Sequence, residues 1–134
     1  MPPIRTDWVE VRAESDIVHA RQLVRRLSSE MGFRLVDQTK LVTAASELAR
    51  NTVVHGGGGR LSWECIAEEG REGIRLTFHD CGPGIADVQL ALKDGWSTGK
   101  GLGMGLSGTK RLVNEFEIES RPGRGTRVTI TKWK

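Results

Sequence analysis

Three stretches of this 134-residue chain combine residue types and spacings that could do chemistry. In SELARNTVVHG, residues 46–56, Glu47, Asn51 and His55 fall at i, i+4 and i+8, so a helix would carry them as one polar ridge. The ridge lies close to the apolar positions, where a carboxylate or amide is costly unless paired or bound to something. Taken alone, the ridge fits equally a solvated helix face or a Glu47–Asn51 hydrogen bond. In DCGPG, residues 80–84, Asp80 ends an apolar strand pattern, and Gly82 and Gly84 let the backbone turn and a flat ligand approach. An ordinary Asp-initiated turn with Pro83 at a corner position would read the same way. In GWSTGKGLGMGLSGTKR, residues 95–111, alternating glycines run into a helical pattern. Their N–H groups suit a phosphate nest, to which the following helix would add its N-terminal end, though a linker could have this composition too.

The third stretch also imitates two familiar phosphate loops. Gly103, Gly105 and Gly108 spell G-x-G-x-x-G, and Gly103, Gly108, Thr109 and Lys110 approximate a P-loop with its last two residues exchanged. Both motifs must follow directly from a strand, whereas here an irregular segment, KDGWSTGK, precedes the glycines. Sequence order and context exclude both.

Composition narrows the class. Hydrophobic residues make up 37%, enough for a core and too many for a disordered chain. The length argues for one domain over residues 1–134. No apolar run is long enough for a membrane span and no basic-then-apolar start suggests a secretory signal. Cys65 and Cys81 have no metal-ligand spacing, which favours reduced thiols and a cytoplasmic location. The net charge of +3 comes from scattered Lys and Arg among 17 acids, so nucleic acid is not the expected partner.

The elements that must position the three stretches follow from periodicity. Residues 4–13 alternate as a strand, and Ser15 is expected to cap a helix carrying Ile17, Ala20, Leu23, Val24 and Leu27. Asp37 is expected to cap a second helix that carries Leu41, Ala44, Ala45, Leu48 and Val53 and stops at the GGGG run, 56–59. Residues 61–69 and 73–80 read as a hairpin around Gly70-Arg71-Glu72. A third helix is expected over 106–114, and strands over 116–120 and 126–133 joined by RPGRG. The order β-α-α-β-β-loop-α-β-β implies a two-layer α/β sandwich, with a mixed, largely antiparallel sheet covered on one face by three helices. It lacks the β-α-β alternation of a doubly wound fold.

The polar helix ridge, D-x-G-x-G, G-x-G-x-G and a late Gly125-Thr126, in that order, resemble the GHKL (Bergerat-fold) ATP-binding superfamily. The strings SDIVHARQL, SELARN, DGWST and GLGMGLSGTKRLVNEF extend the likeness to its stressosome switch kinases, over most of the chain from Asp16 to Trp133. The resemblance implies ATP and Mg²⁺ as cofactors. It implies that Asp80 accepts a hydrogen bond from the adenine amine, a donor where guanine offers an acceptor, with Thr126 supporting that contact through its hydroxyl. It assigns Gly82 and Gly84 to the adenine loop, and Gly101, Gly103, Gly105 and Lys100 to a lid over the phosphates. Asn51 becomes a Mg²⁺ ligand through its amide oxygen, and Glu47 the base that takes the proton from an attacking hydroxyl. The implied activity is serine/threonine kinase action on STAS-domain scaffold and antagonist proteins of a stressosome. A switch to a downstream output protein such as a PP2C-type phosphatase would follow. The rival readings are an anti-sigma factor kinase that binds a sigma factor directly and a non-catalytic, nucleotide-dependent binding module. A lid also implies that residues 95–105 are poorly ordered or displaced without nucleotide.

Overall fold

A computed structural model describes residues 5–85, 92 and 105–134. Five strands, β1 (Arg5–Val11), β2 (Gly59–Glu68), β3 (Arg71–Asp80), β4 (Glu115–Arg121) and β5 (Gly125–Trp133), form one sheet in the order β1-β2-β3-β5-β4. Each of its four pairings is antiparallel, so among the described residues the sheet is not mixed. Three helices, α1 (Glu14–Glu30), α2 (Leu35–Val54) and α3 (Gly105–Arg111), complete the two-layer sandwich.

Strand alternation explains why the helices sit on one face. Leu61, Trp63, Cys65, Ile74, Leu76, Phe78, Val128 and Ile130 are buried with Ile17, Ala20, Val24, Leu27, Leu41, Ala45 and Leu48 of the helices in one core. Residues between them on the strands, such as Arg60, His79, Glu117 and Arg127, are exposed. Burying one Leu side chain contributes about 1.5–3 kcal/mol, so the apolar face overrides weak local preferences.

The helix starts differ from the sequence expectation. Ser15 lies inside α1 rather than capping it. The cap is made from within the first turn, where the Asp16 carboxylate accepts hydrogen bonds from the backbone N–H groups of Arg12 (2.9 Å) and Ala13 (3.0 Å). These two bonds hold the Asp16 pKa below its ordinary value. Asp37 likewise lies inside α2, which starts two residues earlier at Leu35. Its carboxylate accepts from Arg34 Nε (3.1 Å) and pairs with Lys132 Nζ (3.6 Å), which ties the start of α2 to β5. Burial works against ionisation of Asp37, but the two cations outweigh it and leave the pKa lowered.

Two turns are also re-placed. The β2–β3 turn is Glu69-Gly70, with φ of 52° and 80°, so Arg71 and Glu72 belong to β3. Positive φ at both positions is the two-residue hairpin geometry that matches strand twist. The third helix ends at Arg111 rather than Asn114, because the Asn114 N–H bonds to the Thr131 carbonyl (3.0 Å) and its side chain accepts from Trp133 N–H (2.8 Å). The chain has already joined the sheet there.

Leu48 is 2% exposed and lies next to Glu47 on α2. Leu48→Ala is expected to cost about 2–5 kcal/mol by removing apolar contact and leaving a cavity, read as a lower midpoint in urea denaturation.

Candidate active site

The end of α2 and the end of β3 meet through backbone contact. The α2 helix closes on itself at Asn51, whose carbonyl accepts from His55 N–H (2.9 Å) and Gly56 N–H (3.1 Å). Gly56 then lies directly against Asp80. A Cβ on Gly56 would stand 2.6 Å from Asp80 Cβ, closer than side-chain carbons approach, so only glycine fits. Gly82 packs on Gly56 in turn, and a Cβ there would lie 2.7 Å from the Gly56 Cα. The GGGG run thus does more than end a helix: its first residue forms the wall against which Asp80 sits.

Asp80 is buried, 9% exposed, at the rim of this contact. Its Oδ1 accepts hydrogen bonds from Gly82 N–H (2.9 Å) and Thr126 N–H (3.2 Å). Oδ2 takes no hydrogen bond among the described residues. A carboxylate oxygen that the fold supplies with no donor keeps its acceptor capacity for water or a ligand. One oxygen is fixed by the fold and the other is left for an N–H donor such as an amino group on a flat ring.

The loop and the β4–β5 hairpin hold this arrangement from the other side. Gly125, with φ of 84°, comes so close to the Asp80 carbonyl that any side chain would collide with it. Gly84, with φ of 77°, abuts the Arg121 carbonyl in the same way. Ser120 Oγ accepts from Ile85 N–H (2.7 Å), donates to the Gly125 carbonyl (3.1 Å) and pairs with the Thr126 hydroxyl (2.8 Å). Thr126 therefore touches Asp80 through its backbone N–H, while its hydroxyl is engaged by Ser120. Sequence reasoning missed Gly56 and Ser120. Gly56 was hidden in a four-glycine run read as a stop signal, and Ser120 had no motif around it.

Glu47 and Asn51 lie one turn apart on α2, both half-buried, as the ridge required. Glu47 Oε2 is buried without a hydrogen-bond partner among the described residues. No Glu47–Asn51 hydrogen bond forms, so that alternative for the ridge is not realised. Burial pushes the Glu47 pKa up, and the charge of Arg50 pulls it back only in part. His55 ends the ridge at the C-cap of α2, half-buried. Among the described residues no group of three His, Cys, Asp or Glu could hold a metal.

Gly105 opens α3. Lys100, Gly101 and Gly103, and residues 95–104 of the segment expected to be poorly ordered or displaced without nucleotide, lie outside the described residues. Among the described residues no helix is long and apolar enough to cross a membrane. Cys65 is buried and Cys81 exposed, both as free thiols.

Comparison with known proteins agrees with this geometry. The family profile described as histidine kinase-, DNA gyrase B-, and HSP90-like ATPase matches residues 36–134. The serine/threonine-protein kinase RsbT of Bacillus subtilis (strain 168) is 46% identical over 125 residues, covering 93% of this chain and 94% of its own. The anti-sigma F factor of Thermoanaerobacter sp. (strain X514) is 29% identical over 118 residues, covering 85% of this chain and 82% of its own. The crystal structure of the RsbU and RsbW domains of Rv1364c from Mycobacterium tuberculosis matches with a TM-score of 0.66 at 21% identity, over 98% of this chain and 34% of that longer one. That likeness is one of fold. The chain belongs to the histidine kinase-, DNA gyrase B- and HSP90-like ATPase family, among its RsbT-like serine/threonine-protein kinases.

Proposed function

We propose that residues 1–134 act as a single ATP-binding kinase domain that phosphorylates a serine or threonine of STAS-domain scaffold and antagonist proteins of a stressosome. The kinase then changes partner and activates a downstream output protein such as a PP2C-type phosphatase, in the cytoplasm. The observation that carries the catalytic part is Glu47, a half-buried carboxylate with one orphan oxygen, one turn before Asn51 on the helix whose end walls the Asp80 seat.

In this reading Asp80 Oδ2 accepts from the adenine amine, while Gly82 and Gly84 keep the approach open. Mg-ATP supplies the phosphoryl group and the charge that neutralises it, with the Asn51 amide oxygen as the protein's ligand to the metal. Glu47 receives the proton of the substrate hydroxyl. The hydroxyl oxygen bonds to the γ-phosphorus, and the bond to the β–γ bridging oxygen breaks to release ADP. A carboxylate made more basic by burial takes that proton more readily than an exposed one.

The anti-sigma reading rests on the relative named anti-sigma F factor at 29% identity. The two are separated by mixing the chain, Mg²⁺ and labelled ATP with co-encoded STAS proteins and sigma factors. Labelled phosphoserine or phosphothreonine on a STAS protein supports the switch kinase, whereas a stable complex with a sigma factor supports the rival.

Glu47→Gln is expected to leave ATP binding intact and to slow transfer at least roughly 100-fold, the low end for a lost general base. In the parent protein the transfer rate should rise with pH through an apparent pKa above 4.5, the direction in which burial moves Glu47. That limb should vanish in Glu47→Gln. Unchanged transfer removes Glu47 from the mechanism.

Asp80→Asn leaves a single oxygen for the Gly82 and Thr126 N–H groups and turns an NH₂ toward the ligand. ATP binding should disappear from calorimetry, and retained affinity would sink the adenine assignment. Gly56→Ala should displace the Asp80 side chain and weaken ATP at least roughly tenfold, about 1.4 kcal/mol, and also narrow the preference for ATP over GTP. Both nucleotide affinities unchanged would show that Gly56 does not position Asp80.

A further inference from the structure

A second charged cluster lies on the sheet face turned away from the helices. The register aligns Glu10, Arg60, His79, Arg127 and Glu119 in one row across all five strands. Their neighbours Leu61, Phe78 and Val128 point into the core, so the row faces opposite to Asp80. Toward the β4–β5 end this face borders a cavity of about 490 Å³ lined by His79, Glu119, Arg121, Arg124 and Arg127, and on its inner side by Ser120 and Thr126 of the Asp80 network.

The hairpin itself gathers the three arginines. Arg121 closes β4, Arg124 sits in the turn, and Arg127 follows on β5. The turn is pinned by Arg124 N–H to the Arg121 carbonyl (2.9 Å) and by Gly123 N–H to the Pro83 carbonyl (2.7 Å). Arg60, further along the row, is already stacked over Trp8, 4.2 Å from the ring centroid. Arg121, Arg124 and Arg127 take part in no ion pair among the described residues. Glu119, directly opposite Arg127 in register, forms no ion pair with it among the described residues. Three arginines line one cavity with a single carboxylate residue, Glu119, among its lining.

Like charges held together by a pinned turn repel each other, and a bound anion relieves that cost. Guanidinium forks match tetrahedral oxyanions in pairs of hydrogen bonds, and a phosphate dianion offers three acceptor oxygens to several forks at once. A lone carboxylate would satisfy only one fork. We propose that the cavity of Arg121, Arg124 and Arg127 binds a phosphate dianion, carried on a serine or threonine of a partner protein or free in solution. The partner-borne source rests on the kinase reading above, whose product is such a group. The site itself does not.

The test titrates the full chain with a phosphoserine peptide, with its unphosphorylated twin and with inorganic phosphate. Arg124→Gln/Arg127→Gln is compared with the parent, and ATP affinity is measured in parallel. The phosphopeptide should bind at least roughly tenfold more tightly than its twin, and the double variant should lose at least roughly tenfold of that binding. Its ATP affinity and thermal midpoint should stay unchanged. Arg124→Lys/Arg127→Lys, which keeps charge but not the forks, should fall in between. A phosphopeptide that outcompetes inorganic phosphate identifies a phosphorylated partner as the source, and equal affinities identify free phosphate. Equal binding of the two peptides together with no phosphate binding, or a double variant that binds as the parent does, overturns the site. Failure of ATP to bind counts against the kinase reading and leaves the phosphate result standing.

Discussion

The rest of the site depends on the need to satisfy a carboxylate taken out of water. Asp80 sits at the rim of the core, where a charged oxygen without donors is costly. The fold answers with N–H groups from two distant segments, Gly82 just after its own strand and Thr126 on the neighbouring one. To bring those donors close, the backbone must pass where no side chain fits, which fixes glycine at 56, 82 and 125. The charge therefore dictates the local composition. Three motifs that look separate along the chain are one packing solution around one oxygen.

Glu47 shows the opposite use of burial. Asp80 Oδ1 takes two N–H donors, whereas the buried Glu47 Oε2 takes none among the described residues, and the neighbouring Arg50 compensates only in part. Two carboxylates in one fold thus stand in different environments. One is fixed by two backbone N–H groups, and the other is held by burial in a state that favours taking up a proton. Helix α2 links them, because its polar ridge carries Glu47 and its last turn delivers Gly56 to Asp80.

Much of this was legible in the sequence because it is written in periodicity. The i, i+4 spacing of Glu47 and Asn51 survives folding unchanged, and strand alternation placed Asp80 at the end of an apolar strand. What was not legible is the part set by contacts between remote segments. Nothing local to Gly56 distinguishes it from Gly57, yet a Cβ on the first would collide with Asp80 and a Cβ on the second would meet no other described residue within 4 Å. Ser120 bonds to three groups across a strand and a loop, and no pattern of neighbours announces that. The helix starts moved for a related reason. Asp16 and Asp37 serve backbone and side-chain donors from within the first turn, whereas the expected caps were judged from residue type alone.

The hydrogen bond from Thr126 to Asp80 spans 46 residues of chain. The β2–β3 hairpin, by contrast, closes through two residues and pairs only near neighbours. Closing a long loop costs more entropy than closing a short one, and contacts distant in sequence form late. During folding the hairpin can therefore assemble while β5 is still absent, with the Asp80 side chain present but lacking one of its donors. The hydrogen-bonded surroundings of Asp80 are completed only when the last strand pairs with β3. A chain in which β5 has not docked would have the sequence of all three helices and the paired strands β1, β2 and β3, but β4 would have no partner and Asp80 would lack the Thr126 donor.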